Sequence, residues 1–205
     1  MAEVRATDDA YGQLAGRTVG WALCGSHHTV SQVLPVLSRV REAGAVVVPI
    51  LSDTLRTTVT RHGTPEEWWR RVTAAAGQEP LTTIPEVEPF GPQRTLDVLM
   101  IAPCTGNTLA RLAHAFTDSA PLMAAKAQLR NGRPVVLGIT SNDALGLNAV
   151  NLARLLTVRH VYFVPFGQDA PQSKPASLVA DFELCPAAAA AALEGRQLQP
   201  LLLAR

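Results

Sequence analysis

Five short apolar runs, each followed by a helical pattern, constrain this chain more than any other feature. They are Arg17–Cys24 (RTVGWALC), Ala45–Leu51 (AVVVPIL), Leu96–Ala102 (LDVLMIA), Arg133–Thr140 (RPVVLGIT) and His160–Phe166 (HVYFVPF). Runs of this length read as buried strands. Between them, Val30, Val33, Leu34, Leu37 and Val40 recur at helical spacing, with Thr29 or Ser31 placed to cap the helix and Gly44 to stop it. Thr64–Gly77 predicts a second helix, with a Thr cap, Pro65 in the first turn and a terminal Gly. Asn107–Phe116, Leu122–Leu129, Ala149–Leu156 and most of Ala176–Glu194 predict four more. Strands alternating with helices imply a parallel sheet covered on both faces. Pro49 sits awkwardly for a central strand.

The remaining segments read as connections. Residues 52–63 are polar and Thr-rich, the proline-rich stretch 78–95 reads as an irregular connection or a short edge piece, and residues 167–175 (GQDAPQSKP) form a loop. The last seven residues (QPLLLAR) suit a short edge strand or an interface segment. Residues 1–15 are polar and read as a flexible N-terminal tail, leaving residues 16–205 as one α/β domain.

Totals exclude several classes of function. Apolar residues make up 47% of the 205 and charged ones 17%, which suits a packed domain rather than a disordered chain. A net charge of +1 without a clustered basic stretch gives no reason to expect nucleic acid or a membrane surface as partner. No run is long and apolar enough to span a bilayer, and the N-terminus lacks the apolar core of a secretory signal. Three widely spaced cysteines make a poor disulfide framework. The expected compartment is the cytoplasm.

In an open parallel sheet, ligands bind beyond the carboxyl ends of the strands. Four of the loops there are rich in Ser, Thr, Asn and Gly. They hold Gly25, Ser26, His27, His28 and Thr29; Ser52, Asp53 and Thr54; Thr105, Gly106, Asn107 and Thr108; and Thr140, Ser141, Asn142 and Asp143. Hydroxyls, amides and helix-terminal N–H groups suit a phosphate. Each loop taken singly reads more readily as capping and turn chemistry, and it is the four together at one sheet edge that raise a nucleotide-like ligand to an equal reading. Neither G-x-G-x-x-G after the first strand nor G-x-x-x-x-G-K-[ST] occurs, which disfavours a standard NAD or ATP site. His27, His28, Cys24 and Cys104 match no common zinc spacing, and no metal is expected. His27 and His28 are candidate general acids or bases. Cys104 reads either as an activated nucleophile or as small-residue packing. Trp68 and Trp69 are adjacent on a helix, so one of them faces outward.

GS after the first strand and Ala102–Ser119 (APCTGNTLARLAHAFTDS), with its A-P-x-T-x-N-T form, resemble the homo-oligomeric flavin-containing Cys decarboxylase superfamily. That superfamily includes phosphopantothenoylcysteine decarboxylases and flavin prenyltransferases. GSHHT, Leu122–Asn148 and Val164–Pro175 resemble the branch whose members serve spore-forming bacteria in making pyridine-2,6-dicarboxylate. The resemblance runs from about Gly16 to Leu203. It implies a flavoprotein-type, Rossmann-like or flavodoxin-like three-layer sandwich with a mostly parallel sheet. It also implies FMN as cofactor, a homo-oligomer, and an oxidoreductase component in the cytoplasm of the sporulating mother cell. The reaction would be oxidation of a dihydrodipicolinate-type dicarboxylate, with NAD(P) carried by a partner A subunit that resembles a nicotinamide dehydrogenase.

By that resemblance, Gly25 and Ser26 would hold the flavin phosphate, with Ser52 or Thr54 near the phosphate or ribityl chain. Ala102, Thr105, Asn107 and Thr108 would form a second wall, and Thr140 and Ser141 would lie near the ring. His27, His28, Lys126 and Arg130 are candidate partners for a dianionic substrate. The decarboxylases carry a Pro-x-Met-Asn clasp after the fourth strand, where this chain reads ITSNDALGLN (Ile139–Asn148). A decarboxylase is therefore the weakest reading. A non-catalytic component that stabilises the A subunit is the alternative to a catalytic one.

Overall fold

A computed structural model describes residues 8–204. In chain order its elements are α1 (Asp8–Gly12), β1 (Thr18–Leu23), α2 (His27–Glu42), β2 (Val46–Leu51), α3 (Asp53–Thr57), α4 (Pro65–Ala76), α5 (Ile84–Val87) and α6 (Phe90–Gln93). There follow β3 (Val98–Thr105), α7 (Gly106–Ala113), α8 (Ala120–Arg130), β4 (Val135–Ser141), α9 (Ala149–Leu156), β5 (Val161–Phe163), β6 (Phe166–Gln168), β7 (Leu178–Ala180) and α10 (Cys185–Leu193).

The seven strands form one sheet in the order β2-β1-β3-β4-β7-β6, with β5 also paired to β4. The pairs β1–β2, β1–β3, β3–β4 and β4–β5 are parallel, whereas β4–β7 and β6–β7 are antiparallel. Pro49 is tolerated because β2 is an edge strand, where a missing N–H leaves no central ladder bond broken. Its carbonyl accepts from the Leu81 N–H at 2.9 Å, and Leu81 in turn accepts from Leu51, so the edge is partly covered.

Both faces of the central strands are buried, which is why they read as continuous apolar runs. Helices α2 and α10 pack on each other and on β3, while α8 packs on β2, β3 and β4 with α5 and α6 behind it. Helix α10 is buried along Ala188–Ala192, and its small side chains suit close approach to the strands. Trp21, fully buried on β1, donates its indole N–H to the Ala102 carbonyl at 3.0 Å and so pins β1 to β3. Helix α4 carries the cap read from its sequence. The Thr64 hydroxyl accepts from the Glu67 N–H at 3.3 Å, and Glu67 accepts from the Thr64 N–H at 2.8 Å. Gly77 closes the helix at φ 78°.

Four segments depart from the sequence reading. The expected tail, residues 1–15, includes helix α1 and the buried Leu14, so described structure precedes residue 16; residues 1–7 lie outside the described part. Residues 166–180 form an antiparallel hairpin, and the last helix starts at Cys185 rather than near Ala176. Only three residues long, β6 and β7 are too short to show a period. Residues 52–63 and 78–95 contain the short helices α3, α5 and α6.

Candidate functional site

Strand β3 changes register against β4 between Ile101 and Cys104. A bulge sits naturally at Pro103, which has no N–H to donate. Beyond it Thr105 ends the strand and becomes the N-cap of α7, its hydroxyl accepting from the Thr108 N–H at 3.4 Å and lying 3.1 Å from the Thr108 hydroxyl. Thr105 also lines the cleft beyond the sheet, so capping and site lining are one role here rather than alternatives.

That cleft has two lobes meeting at Gly25 and Thr105. The larger, about 700 Å³, is bounded by Ser26, His28, Thr29, Thr140 and Ser141 on the strand-loop side. Its far wall is built by the β6–β7 hairpin and the turn after it, with Lys174, Ser177 and Phe182. The smaller lobe, about 270 Å³, is bounded by Ser52, Thr54, Asn107, Thr108, Arg111 and Ser119. Together they have the size usual for a cofactor site.

Two glycines shape this edge by what they lack. A Cβ on Gly25 would stand 2.8 Å from the Thr54 side chain, and one on Gly106 would stand 2.6 Å from the Ser141 Oγ. Gly106 thus lets the start of α7 dock on a polar brace. In that brace Ser141 donates to Asp143 at 2.5 Å, the Asn148 amide donates to both Asp143 oxygens at 3.0 and 2.9 Å, and Asn151 donates to Asn148 at 2.9 Å. In the smaller lobe the Ser52 Oγ is buried without a hydrogen-bond partner among the described residues. An orphaned hydroxyl beside Thr54, Asn107, Thr108 and Arg111 suits a bound oxyanion, which would satisfy it.

The structure gathers Gly25, Ser26, Ser52, Thr54, Thr105, Asn107, Thr108, Thr140, Ser141 and His28 around the two lobes. It does not bring in the other expected residues. Ala102 is fully buried in β3, with its carbonyl committed to Trp21 and its methyl facing Gly138 across the sheet. His27 turns inward, its ring 5.9 Å from that of Trp68. Burial holds the His27 imidazole below its ordinary value, with the field of His62 adding to this and a Thr58 backbone hydrogen bond opposing it. Lys126 and Arg130 lie against a separate apolar groove beside Phe116 and Leu155. Burial pushes the Cys24 thiol up to about 11 and the Cys104 thiol well above its ordinary value, so Cys104 packs rather than attacks.

Sequence reasoning missed Arg111 and Lys174. Arg111 follows Asn107 and Thr108 by four and three residues, a helical spacing that places all three on one face. Lys174 had no such signal, because its place depends on the hairpin.

A mostly parallel sheet flanked by helices, with a polar two-lobed cleft at its carboxyl edge, defines a flavodoxin-like flavoprotein domain. The family model described as Flavoprotein matches residues 8–192, and the chain belongs to this family. Along nearly its whole length it is homologous to the B subunit of dipicolinate synthase. That protein from Bacillus subtilis (strain 168) is 46% identical over 190 residues, covering 93% of this chain and 95% of its own. The crystal structure of the dipicolinate synthase B subunit from Bacillus halodurans C superposes with a TM-score of 0.86 at 48% identity, covering 94% of this chain and 98% of that one. The FMN-dependent cysteine decarboxylase SpaF superposes with a TM-score of 0.66 at 22% identity over 88% and 99%, a likeness of fold. Among the described residues no helix is long and apolar enough to cross a membrane.

Proposed function

We propose that this chain acts as the B subunit of a dipicolinate synthase and holds FMN across the two lobes. On this reading it contributes to the oxidation of a dihydrodipicolinate-type precursor to dipicolinate. It works in the cytoplasm of the mother cell, as a homo-oligomer, beside an A subunit that binds NAD(P). The observation that carries the reading is the smaller lobe, where a buried, unpartnered Ser52 hydroxyl sits among Thr54, Asn107, Thr108 and Arg111. These groups would hold the phosphate, with Gly25 at the junction of the lobes; Ser26, expected beside the phosphate, lines instead the larger lobe with Thr140 and Ser141, where the ring would lie.

When bound, a flavin supplies a two-electron acceptor. This chain's own residues supply position and proton handling. Aromatisation of a dihydropyridine releases a hydride equivalent and a proton, and His28 is the imidazole at the lobe able to hold that proton. Thr140 and Ser141 offer hydroxyls at the end of β4, and Ser141 is oriented by Asp143. The site is incomplete as a decarboxylase, since Ile139–Asn148 forms the Asp143–Asn148 brace where the clasp would stand.

Purified chain should carry or take up FMN, seen as yellow flavin absorbance. It should also form dipicolinate from the dihydro precursor only when mixed with the A subunit. A colourless chain that cannot be reconstituted yet still restores the partner's activity would replace this reading with that of a non-catalytic stabilising component. Loss of joint activity in His28→Ala with flavin retained would place His28 in the chemistry.

A further inference from the structure

The larger lobe contains five charged or ionisable side chains, three of them carboxylates, and each carboxylate has at least one partner. Asp169 pairs with the Lys174 ammonium at 3.3 Å, Glu183 with the Arg39 guanidinium at 2.8 and 2.5 Å, and Asp181 accepts from the Glu183 N–H at 3.2 Å. The ionisable nitrogen donors that line the lobe are His28, on the strand-loop side, and Lys174, on the hairpin side.

Each donor is held by its own structure. His28 stands in the first turn of α2, and its ring lies 5.6 Å from that of His62 at an angle of 49°. The His62 Nε2 accepts from the Arg61 Nε at 3.2 Å, which leaves its ring proton on Nδ1. The His62 backbone N–H donates to the Thr60 hydroxyl at 3.2 Å, and Thr60 and Gly63 exchange backbone bonds at 3.1 Å. His62 is thus a fixed seat for the His28 ring.

On the other bank, Lys174 stands in the loop between β6 and β7. Its N–H donates to Ala170 at 2.8 Å, its carbonyl accepts from Ser177 at 3.0 Å, and the Gln168 amide donates to Pro175 at 2.9 Å. With three N–H donors the ammonium can keep Asp169 and accept a second carboxylate. The order β1-β3-β4-β7 separates the strands that carry the two banks by three strand spacings, roughly 14 Å, and both residues line the lobe between them.

We propose that the larger lobe recognises a small planar diacid by its two ends. One carboxylate is taken by His28, seated against His62, and the other by Lys174. The inference rests on the reading of this chain as part of a dipicolinate synthase and assigns that reading a substrate-binding geometry. Lys174 and His28 touch the ligand, and His62 is a positioning residue acting through His28.

The test is calorimetric titration of the purified chain with two probes, pyridine-2,6-dicarboxylate and pyridine-2-carboxylate. The wild type should prefer the diacid by about tenfold, the size of one charge-assisted contact. Lys174→Gln should reduce that preference to about one, and so should His28→Gln. His62→Ala should weaken both probes, and His62→Asn, which keeps an N–H in the place of Nδ1, should restore most of the loss. In the assay with the A subunit, His62→Ala should raise KM, and His62→Asn should restore most of it. Undiminished diacid preference in Lys174→Gln overturns the two-ended site, even where the wild type forms dipicolinate with its partner. A chain that fails to form dipicolinate with its partner, yet keeps the probe discrimination, overturns the synthase reading and leaves the diacid site standing.

Discussion

His27 and Trp68 pack ring against ring with centroids 5.9 Å apart, while the adjacent His28 faces the cleft. Neither His27 Nε2 nor Trp68 Nε1 has a hydrogen-bond partner among the described residues. Arg71 lies over the Trp68 ring at 4.4 Å. Two neighbouring histidines therefore have opposite surroundings, one in the core and one at the cleft.

This arrangement makes stability depend on pH. His27 has a folded-state value below its ordinary 6.5, so below that pH the unfolded chain binds a proton that the folded chain resists. Stability should fall as pH drops from about 6.5 through the lower folded value, and should be free of this effect above it. His27→Phe keeps a ring against Trp68 and removes the titration. Melting temperatures measured across neutral to mildly acidic pH should fall less steeply in the variant; identical slopes would assign the acid sensitivity elsewhere.

Gly106→Ala places a methyl carbon 2.6 Å from the Ser141 Oγ and 2.9 Å from the Asn148 Nδ2, inside a fully hydrogen-bonded brace. A loss of about 1–3 kcal/mol is expected from such overpacking. Gly146→Ala is the control, because its nearest neighbour would be the Asp143 carbonyl oxygen at 3.4 Å. Urea denaturation should separate the two, with the control within about 0.5 kcal/mol of wild type.

Asp143→Ala removes the acceptor shared by Ser141 and Asn148 and leaves the Asn148 and Asn151 amides poorly matched in a buried place. The expected loss is about 1–3 kcal/mol. Thermal melts of the single variant and of Asp143→Ala with Ser141→Ala should show non-additive losses, since both act on one network.

Arg111 is exposed on α7 and pairs with Asp118 at 3.2 Å, so Arg111→Ala should leave stability within about 0.5 kcal/mol. It borders the smaller lobe, where it is the cation available to a phosphate. Flavin titration should therefore show about tenfold weaker retention in a normally folded variant. Full retention would move the phosphate away from this lobe.

All three cysteines are buried, and burial raises each thiol. At mildly alkaline pH the native protein should react slowly with a thiol-specific disulfide reagent and expose all three thiols in urea. Rapid native labelling of Cys104 would restore it as a nucleophile.

Much of the fold was legible because two periods were strong. Val30, Val33, Leu34, Leu37 and Val40 all bury on α2, and the runs around Trp21, Met100 and Leu137 all become central strands. The hairpin Phe166–Ala180 was not legible, since three-residue strands carry no period and their pairing with Thr140 and Ser141 is decided at long range. Of the site, the strand-end loops could be read because a parallel sheet sends them all to one edge. Sequence adjacency misled at His27, where a helix turns successive residues by about 100° and sends neighbours to different faces. Ala102, expected at the site from the family resemblance, lies too early in its strand to leave the core.

Residue order alone determined the alternation of strands and helices, the Thr64 cap, and the small polar residues after each strand. Those depend on contacts within a turn or two of the chain, which a sequence displays directly. Only the tertiary structure decided that His28 meets His62, that Lys174 crosses to the same lobe, and that Gly106 docks on the Ser141–Asp143–Asn148 brace. Each of these joins segments that are distant along the chain. Their meeting is set by strand order and by packing across the sheet, which local pattern does not encode.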